Sequence, residues 1–321
     1  MINPLRVEIP HLLLQRDKMM KYFLAIPTYN GGEVWKESIH NIKKFAPVDL
    51  FVQVIDSGSK DGTAELATQA GFHVTSISSQ DFNHGGTRNL AVDMAPDECD
   101  VVIFITQDAI PEEGSLQRLV AAFDDPKVAC AYGRQLPHHN ATPISRHARS
   151  FNYTAKSHVY TLADAPRAGL KTVFTSNSFA AYRISAFREL GGFPSNTILS
   201  EDMYFAARAV LAGYKVAYVA EAEARHSHNY SPIEEFKRYF DIGVFHGKES
   251  WIHEKFGGAG GVGKKFLISE LRFLLKHGVM FLPRACINNA MKIIGYKLGK
   301  SYKTLPIGVT RSLSMHKRYW K

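Results

Sequence analysis

Cysteine is scarce in this sequence. Three of its 321 residues are cysteines, Cys99, Cys130 and Cys286, and no two of them have CxxC spacing. This pattern argues against a disulfide framework or a zinc site and is typical of a reducing compartment. We also expect no signal peptide, because the first apolar stretch, residues 11–15, is short and is followed by charged residues. We therefore expect a cytoplasmic protein.

Long apolar runs are absent as well. The apolar runs within residues 264–300 are interrupted by Lys276, His277, Pro283 and Arg284. None reaches the ~18 uninterrupted apolar residues that a spanning helix needs. We expect no transmembrane helix in this part of the chain.

Acidic residues are rare near the C-terminus. Residues 251–321 contain 14 Lys and Arg against two Glu, a net charge of +12, whereas the preceding residues carry −3. Such a basic region suits nucleic acid or an anionic membrane surface, or it is simply a solvated basic face. Because no nucleic-acid-binding motif is present, a nucleic-acid-binding protein ranks low among the alternatives and no nucleic-acid partner is expected.

The same region has an amphipathic pattern. Leucines recur at helical spacing with basic residues between them, at Leu267, Leu271, Leu274 and Leu275. This pattern suits a helix that lies on a membrane surface, here the inner face of the cytoplasmic membrane. It fits equally well a helical pair packed on the rest of the chain or on another subunit.

No complete Walker motif is present, and no GxGxxG stretch follows an apolar run typical of a strand, which counts against an NTPase or a dinucleotide enzyme. A phosphate group can instead be held by a divalent metal and a guanidinium group. Asp108 and Arg88 could supply the ligand and the guanidinium.

What the sequence does contain is an alternation of apolar strands and helices. The predicted strands are residues 22–27, 50–56, 72–78 and 100–106, and the predicted helices are residues 33–45, 61–70 and 86–94. Short runs rich in Val, Ile and Phe are typical of buried parallel strands. The alternation predicts an α/β fold with a parallel sheet.

A polar loop follows each predicted strand. These loops read PTYNGG (27–32), DSGSKDGT (56–63), DFNHGGTRNL (81–90) and TQDAIP (106–111). Ligands of such sheets bind at the carboxyl ends of the strands. We therefore expect the four loops to form one binding site.

These motifs resemble those of the family-two inverting glycosyltransferases. The first-strand motif AIPTYNGG, the loop IDSGSKDGT, the metal motif TQDA and the segment SEDMYFAARAVLAGYKV (200–216) occur in that family's order, over about residues 20–230. The resemblance implies the GT-A fold, with a mainly parallel central sheet flanked by helices and a basic helical C-terminal segment. FNHGGTRN is similar to bacterial rhamnosyltransferases that use dTDP-L-rhamnose to build lipopolysaccharide, O-antigen or capsule.

The resemblance also implies a donor site. Thr28 and Tyr29 would line the base, Asp56 would accept the imide N–H of thymine or uracil, and Arg88 would face the diphosphate. His84 and Gly85 would let the backbone approach the sugar. The full set of implied donor-binding residues is Pro27, Thr28, Tyr29, Asp56, His84, Gly85, Arg88, Gln107 and Asp108. For Asp56 a turn or capping role is the alternative, and both roles can coexist.

The metal motif departs from the family pattern. Thr106 stands where the family commonly has its first aspartate, so Asp108 is the expected ligand from this loop. The resemblance implies that a histidine beyond the Glu-Asp pair completes the site, with His226 preferred and His228 as the alternative. The expected metal is Mg²⁺ or Mn²⁺.

Glu201 and Asp202 are the implied catalytic pair. Ser200 is a plausible N-cap, which would put both carboxylates in the first turn of a helix, where acidic residues also occur for structural reasons. The resemblance assigns Asp202 as general base, with Glu201 orienting either the acceptor or that base. The presence of Asp56, Asp108, Glu201 and Asp202 together argues against an inactive scaffold.

We thus expect three regions: residues 1–19 as an extension or misassigned start, 20–250 as the GT-A domain, and 251–321 as a basic helical region. The expected reaction is inverting transfer of L-rhamnose from dTDP-β-L-rhamnose to a hydroxyl of a lipid-linked or oligosaccharide acceptor. A UDP-hexose donor, such as UDP-glucose or UDP-galactose, is the alternative.

Overall fold

The computed structural model describes residues 20–258 and 261–320. The expectation for residues 1–19 therefore lies outside the described residues. The strands are β1 Tyr22–Thr28, β2 Val52–Asp56, β3 His73–Ser76, β4 Val101–Ile105, β5 Ile110–Pro111, β6 Val128–Leu136, β7 His158–Tyr160, β8 Phe179–Arg183 and β9 Lys215–Arg225. The helices of the first part are α1 Gly32–Phe45, α2 Thr63–Gln69, α3 His84–Asp93, α4 Ser115–Val120, α5 Pro143–Asn152, α6 Ala165–Ala168, α7 Ile184–Glu189 and α8 Glu201–Leu211. Those that follow are α9 Pro232–Lys248, α10 Ser250–Phe256, α11 Val262–His277, α12 Leu282–Lys300 and α13 Ile307–Leu313.

The strands form one mixed sheet in the order β3-β2-β1-β4-β8-β6-β9-β5, with β7 paired to β9. The four strands predicted from the sequence are β1 to β4, and they are parallel neighbours. Beyond β4 the pairing changes, because β8 runs antiparallel to both β4 and β6. The prediction of a parallel sheet is thus right for the first half, and the complete sheet is mixed.

Burial on both faces explains why the strands are continuously apolar. In β1, Phe23 and Ala25 belong to the core cluster on one side of the sheet, and Leu24 and Ile26 to the cluster on the other. All four side chains are fully buried. Alternate residues of a strand point to opposite faces of the sheet. When both faces are covered, apolar residues are therefore favoured at every position of the strand.

The basic region from residue 251 onward packs on the sheet domain. Helix α12 lies along α9, and Gly295 and Gly299 of α12 face the backbone of α9 so closely that added Cβ atoms would overlap the carbonyl oxygens of Phe236 and Phe240. The proposed boundary at residue 250 stays a prediction. Packing on the rest of the chain, one of the two expectations for this region, is found.

The amphipathic leucines of α11 divide between core and surface. Leu274 is fully buried in a small cluster with Ile144 and Ala285. Leu267, Leu271 and Leu275 are 42%, 50% and 59% exposed. In the described part of the chain no helix combines the length and apolar character needed to cross a membrane.

We expect Gly299→Ala to lower the free energy of unfolding by about 1–3 kcal/mol, because the new methyl group forces α12 away from α9. Urea denaturation measures this change. Gly308→Ala in α13 is the control, since its Cβ meets no atom within 4 Å and the substitution removes glycine from a helix. Equal stability of both variants would show that the close approach of α9 and α12 is unimportant.

Candidate functional site

A cavity of about 1120 Å³ lies at the carboxyl edge of β1 to β4. Its walls contain Pro27 and Thr28 at the end of β1, Tyr29 directly after it, residues 80–84 after β3, and residues 106–108 after β4. Residues 195–198, Lys248 and residues 315–319 complete the wall. The predicted convergence of polar loops is therefore present, and it forms a site large enough for a nucleotide sugar.

Asp56 organises the loop behind this wall. Its carboxylate accepts hydrogen bonds from the Thr28 hydroxyl at 3.0 Å, from the backbone N–H groups of Gly58 and Ser59, and from the Ser59 hydroxyl. The side chain is buried, and the cavity lining contains its neighbours Thr28 and Ser57 rather than Asp56 itself. The hydrogen bonds from Gly58 and Ser59 show the expected turn-forming role of Asp56. The β1–β2 register places Thr28 directly opposite Asp56, which explains the contact with the Thr28 hydroxyl.

Gln107 joins the loops that follow β1 and β4. Its side-chain oxygen accepts from the Tyr29 N–H at 2.7 Å, and its side-chain nitrogen donates to the Tyr29 carbonyl at 3.1 Å. These two hydrogen bonds hold Tyr29 at the cavity, where the residue is 45% exposed. Pro27, Thr28, Tyr29 and Gln107 therefore all lie at the cavity, and their contact with a donor stays a prediction.

Helix α3 begins in the FNHGGTRN motif. Asn83 caps it by accepting from the Gly86 N–H at 2.6 Å. A Cβ atom on Gly85 would overlap the carbonyl oxygen of Pro194, so Gly85 is needed for packing against that loop. Gly85 is not among the residues that line the cavity, and its expected role beside a sugar stays a prediction. His84 does line the cavity.

Arg88 borders the cavity but is not a free cation. Its guanidinium is 3.2 Å from the Glu201 carboxylate, with both side chains about 95% buried, and it donates to the His84 carbonyl at 3.0 Å. A contact between Arg88 and a diphosphate stays a prediction. Its charge is matched by Glu201, so neutralisation of an incoming anion needs further groups.

Glu201 and Asp202, the predicted catalytic pair, lie at the start of α8. The helix begins directly after Ser200, as expected. Ser200 has φ +60°, and its side chain makes no capping hydrogen bond, so the prediction that this side chain caps the helix is wrong. Glu201 accepts from the Asn177 side chain at 2.8 Å. Burial alone would raise the pKa of Glu201, but Arg88 and His84 outweigh it and lower that pKa, so Glu201 is ionised.

Asp202 has the opposite protonation behaviour. Burial, and then the neighbouring charge of Glu201, raise the pKa of Asp202 to about 7. Its two oxygens accept from the backbone N–H groups of Asn177 and Met203 at 3.0 and 2.7 Å. Two adjacent carboxylates with pKa values pushed apart are suited to different roles, and the one near 7 suits a general base.

Asp108, His226 and His228 form a cluster in which one ligand atom of each lies within 4.8 Å of the others. The Nε2 atoms of His226 and His228 are 3.5 and 3.6 Å from the same Asp108 oxygen. The sequence-based prediction gave the two histidines as alternatives, whereas in the structure both lie beside Asp108. Burial lowers the pKa of both, that of His228 to about 3, so both rings are neutral and have a lone pair for a cation.

Gln135, which the sequence reading missed, orients His226. Its side-chain oxygen accepts from Arg149 at 2.6 Å and lies 2.9 Å from His226 Nδ1, while its nitrogen donates to the Ser176 hydroxyl at 2.9 Å. Since Arg149 can only donate, this oxygen is an acceptor, and Nδ1 must carry the proton. His226 Nε2 is then unprotonated and faces Asp108, as a metal ligand requires. No motif marks Gln135, which lies near the end of β6.

Solved structures share this fold. A mannosyltransferase from Pyrobaculum calidifontis, solved with GDP-Man and Mn²⁺, has a TM-score of 0.56 and 19% identity, covering 94% of this chain and 84% of its own. Residues 1–349 of TarS from S. aureus have a TM-score of 0.51 and 16% identity, covering 88% and 91%. At these identities the likeness shows the GT-A-like fold.

Sequence comparison gives the family. Residues 23–191 match glycosyl transferase family 2, and this chain belongs to that family. It is 54% identical to the O-antigen chain rhamnosyltransferase RfbN of Salmonella typhimurium, over 94% of this chain and 96% of the relative. It is 49% identical to the O-antigen chain rhamnosyltransferase WbaN of Salmonella anatum over the same shares. The chain is a glycosyltransferase, as the sequence motifs predict.

We expect Arg88→Met to lower the free energy of unfolding by about 3–5 kcal/mol, because Glu201 remains buried without its counter-charge. Chemical denaturation measures the loss. Arg167→Met is the matched control, since its ion pair with Asp164 is at the surface and is worth about 0–1 kcal/mol.

The double variant Arg88→Met/Glu201→Gln should be more stable than Arg88→Met alone, since no unpaired buried charge remains. A cost for Arg88→Met no greater than that for Arg167→Met would contradict the buried ion pair.

Proposed function

We propose that this enzyme transfers L-rhamnose from dTDP-β-L-rhamnose to a hydroxyl group of a lipid-linked or oligosaccharide acceptor in O-antigen synthesis, with inversion at the anomeric carbon. The observation that carries the proposal is Asp202, a half-buried carboxylate with a pKa of about 7. Two relatives described as O-antigen chain rhamnosyltransferases, 54% and 49% identical, support the sugar and the polymer.

The donor would occupy the cavity at the sheet edge. Its base would lie near Thr28 and Tyr29, and its diphosphate would extend toward the loop that contains Gln107 and Asp108. Asp56 holds the Thr28 hydroxyl and the loop beside it, so it would shape the base subsite even where its own oxygens are occupied. His84 would border the sugar.

A divalent cation fits the cluster of Asp108, His226 and His228. One carboxylate and two neutral imidazoles are a mixed oxygen and nitrogen set, which suits Mn²⁺ and leaves coordination positions for diphosphate oxygens. When bound, Mn²⁺ or Mg²⁺ would neutralise charge that develops on the leaving dTDP. The mannosyltransferase of the same fold was solved with Mn²⁺, in agreement with such a site.

Asp202 would take the proton of the acceptor hydroxyl while the oxygen of that hydroxyl attacks the anomeric carbon. The C–O bond to dTDP breaks on the opposite face, so a β-L-rhamnosyl donor gives an α-L-rhamnoside. Glu201 is a positioning residue in this scheme: it holds the Asn177 side chain, and the Asn177 N–H in turn binds Asp202. Of the two roles expected for Glu201, orienting the base is the one that these contacts favour.

The site of action would be the cytoplasmic face of the membrane. Exposed apolar side chains occur along α11 to α13, at Leu267, Ile268, Leu271, Leu275, Val279, Met280, Ile287, Ile293, Ile294, Leu298, Ile307 and Val309. Exposed basic residues such as Lys264, Arg272 and Lys276 lie among them. Apolar side chains interleaved with cations match an anionic lipid surface, where a lipid-linked acceptor would be found.

Titration calorimetry with dTDP-L-rhamnose, UDP-glucose and UDP-galactose tests the donor. With Mn²⁺ present, we expect the rhamnose donor to bind at least ~10-fold more tightly than either UDP-hexose, a difference of about 1.4 kcal/mol. His226→Ala should abolish the effect of Mn²⁺. Tighter binding of a UDP-hexose would contradict the rhamnose donor but keep the fold and site.

Asp202→Asn should lower turnover by at least ~100-fold while dTDP binding is kept, because the positioned base is lost.

In the unaltered enzyme kcat/KM should fall about tenfold per pH unit below a pH of about 7, since protonated Asp202 cannot accept a proton. Release of dTDP in the presence of lipid-linked glycans measures both. Asp93→Asn, an exposed position, is the control, and unchanged turnover of Asp202→Asn would remove the base assignment.

Vesicle sedimentation tests the membrane surface. We expect binding to vesicles with phosphatidylglycerol, little binding to phosphatidylcholine alone, and loss of binding at high salt, because the attraction is partly electrostatic. Leu271→Glu should weaken binding more than the control Leu211→Glu at the end of α8, which is 40% exposed. Equal binding of both variants would disprove this surface.

A further inference from the structure

One wall of the cavity comes from the far end of the chain. Residues 315–319, here called the C-terminal segment, line it together with the loops that follow β1 and β3. The recognisable motifs all precede residue 230, and the family match ends at residue 191, so neither assigns a role to this segment. We ask what its side chains contribute to the cavity.

The C-terminal segment is fixed by buried contacts. The Asp241 carboxylate on α9, which is fully buried, accepts from the backbone N–H groups of Met315 and His316 at 2.9 and 3.1 Å. The His316 ring meets the His84 ring edge-on, with centroids 4.7 Å apart. The position of the segment over the cavity is therefore set by specific partners at its first residues.

Its other end is held as well. Lys248 donates to the Tyr319 hydroxyl at 3.1 Å, and that hydroxyl donates to the Asn196 carbonyl at 3.2 Å. Both Lys248 and Asn196 also line the cavity. Arg318, between these two anchors, is consequently held at the cavity wall.

Arg318 contacts the loops expected to bind the base. Its guanidinium lies over the Tyr29 ring, 5.7 Å from the centroid, and donates to the Ser79 carbonyl at 2.8 Å. Tyr29 directly follows β1, and Ser79 lies just beyond β3. A planar guanidinium in this position can stack on an aromatic base or bond to phosphate oxygens.

The charge balance of the cavity points to the same residue. Arg88 is neutralised by Glu201, and Lys248 donates to uncharged oxygens of Asn196 and Tyr319. Within residues 20–258 and 261–320, no carboxylate forms an ion pair with Lys317 or Arg318. The C-terminal segment thus supplies uncompensated positive charge to a site proposed to take a dianionic diphosphate.

We propose that Arg318 is a donor-binding residue that contacts the nucleotide part of the donor, and that the C-terminal segment forms part of the nucleotide site. This inference rests on the proposed function, since it takes a pyrimidine nucleoside diphosphate as the ligand. It adds a residue outside the family motifs. Because Glu201 neutralises Arg88, Arg318 supplies the cavity with a guanidinium that no carboxylate of the described residues neutralises.

Calorimetric titration with dTDP and Mn²⁺ tests the proposal. Arg318→Ala should weaken dTDP binding at least ~10-fold, since a charge-assisted contact is lost. Arg311→Ala, an exposed arginine in α13, should bind dTDP as the unaltered protein does. Arg318→Lys separates two modes of contact: recovery of affinity indicates charge at the diphosphate, and no recovery indicates planar contact with the base.

A second readout needs no substitution. Trypsin cleaves after Lys317 and Arg318, and bound dTDP should slow cleavage at these two sites, followed by mass spectrometry, while cleavage at Arg311 is unchanged. This measurement remains informative if Arg318→Ala unfolds, which its melting temperature would reveal.

The outcomes distinguish the inference from the function. If the unaltered protein does not bind dTDP, the proposed function fails and the inference falls with it. If it binds dTDP, and Arg318→Ala binds equally well with no protection from trypsin, the role of Arg318 is overturned and the function stands.

Discussion

The buried ion pair between Arg88 and Glu201 is the interaction on which the site depends. It joins the start of α3, at the proposed donor cavity, to the start of α8, where the proposed catalytic carboxylates lie. Burying two charges costs desolvation free energy, and proteins in which apolar residues replace such a pair are often equally stable. The pair is therefore weak evidence that its role is to stabilise the fold. Here it keeps Glu201 ionised, and the charge of Glu201 helps to raise the pKa of Asp202 toward neutrality.

Two neighbouring residues connect the proposed base to the cluster of Asp108, His226 and His228. Ser176 accepts from Gln135, which orients His226, and Asn177 holds both Glu201 and Asp202. The segment before β8 therefore fixes the distance between the proposed leaving-group site and the proposed base. An inverting transfer requires these two groups on opposite faces of the sugar, and a rigid link between them is a physical means of keeping that geometry.

The parts of the fold that depend on local sequence were predictable. Buried apolar runs identified β1 to β4, and the polar loops after them indicated the cavity, because parallel strands end at one edge. Long-range packing was not predictable: Gly85 faces Pro194, Arg88 pairs with Glu201, and Gln135 orients His226. Each of these side chains has an ordinary local context, and its partner comes from a different element.

The stereochemistry of the product tests the central claim most directly. Transfer from dTDP-β-L-rhamnose to an acceptor, followed by NMR of the anomeric carbon through its one-bond C–H coupling, reports whether the new linkage is α or β. A single displacement with Asp202 as base predicts an α-L-rhamnoside. A β-L-rhamnoside would mean net retention, which one displacement cannot give, and it would contradict the assignment of Asp202 as the general base.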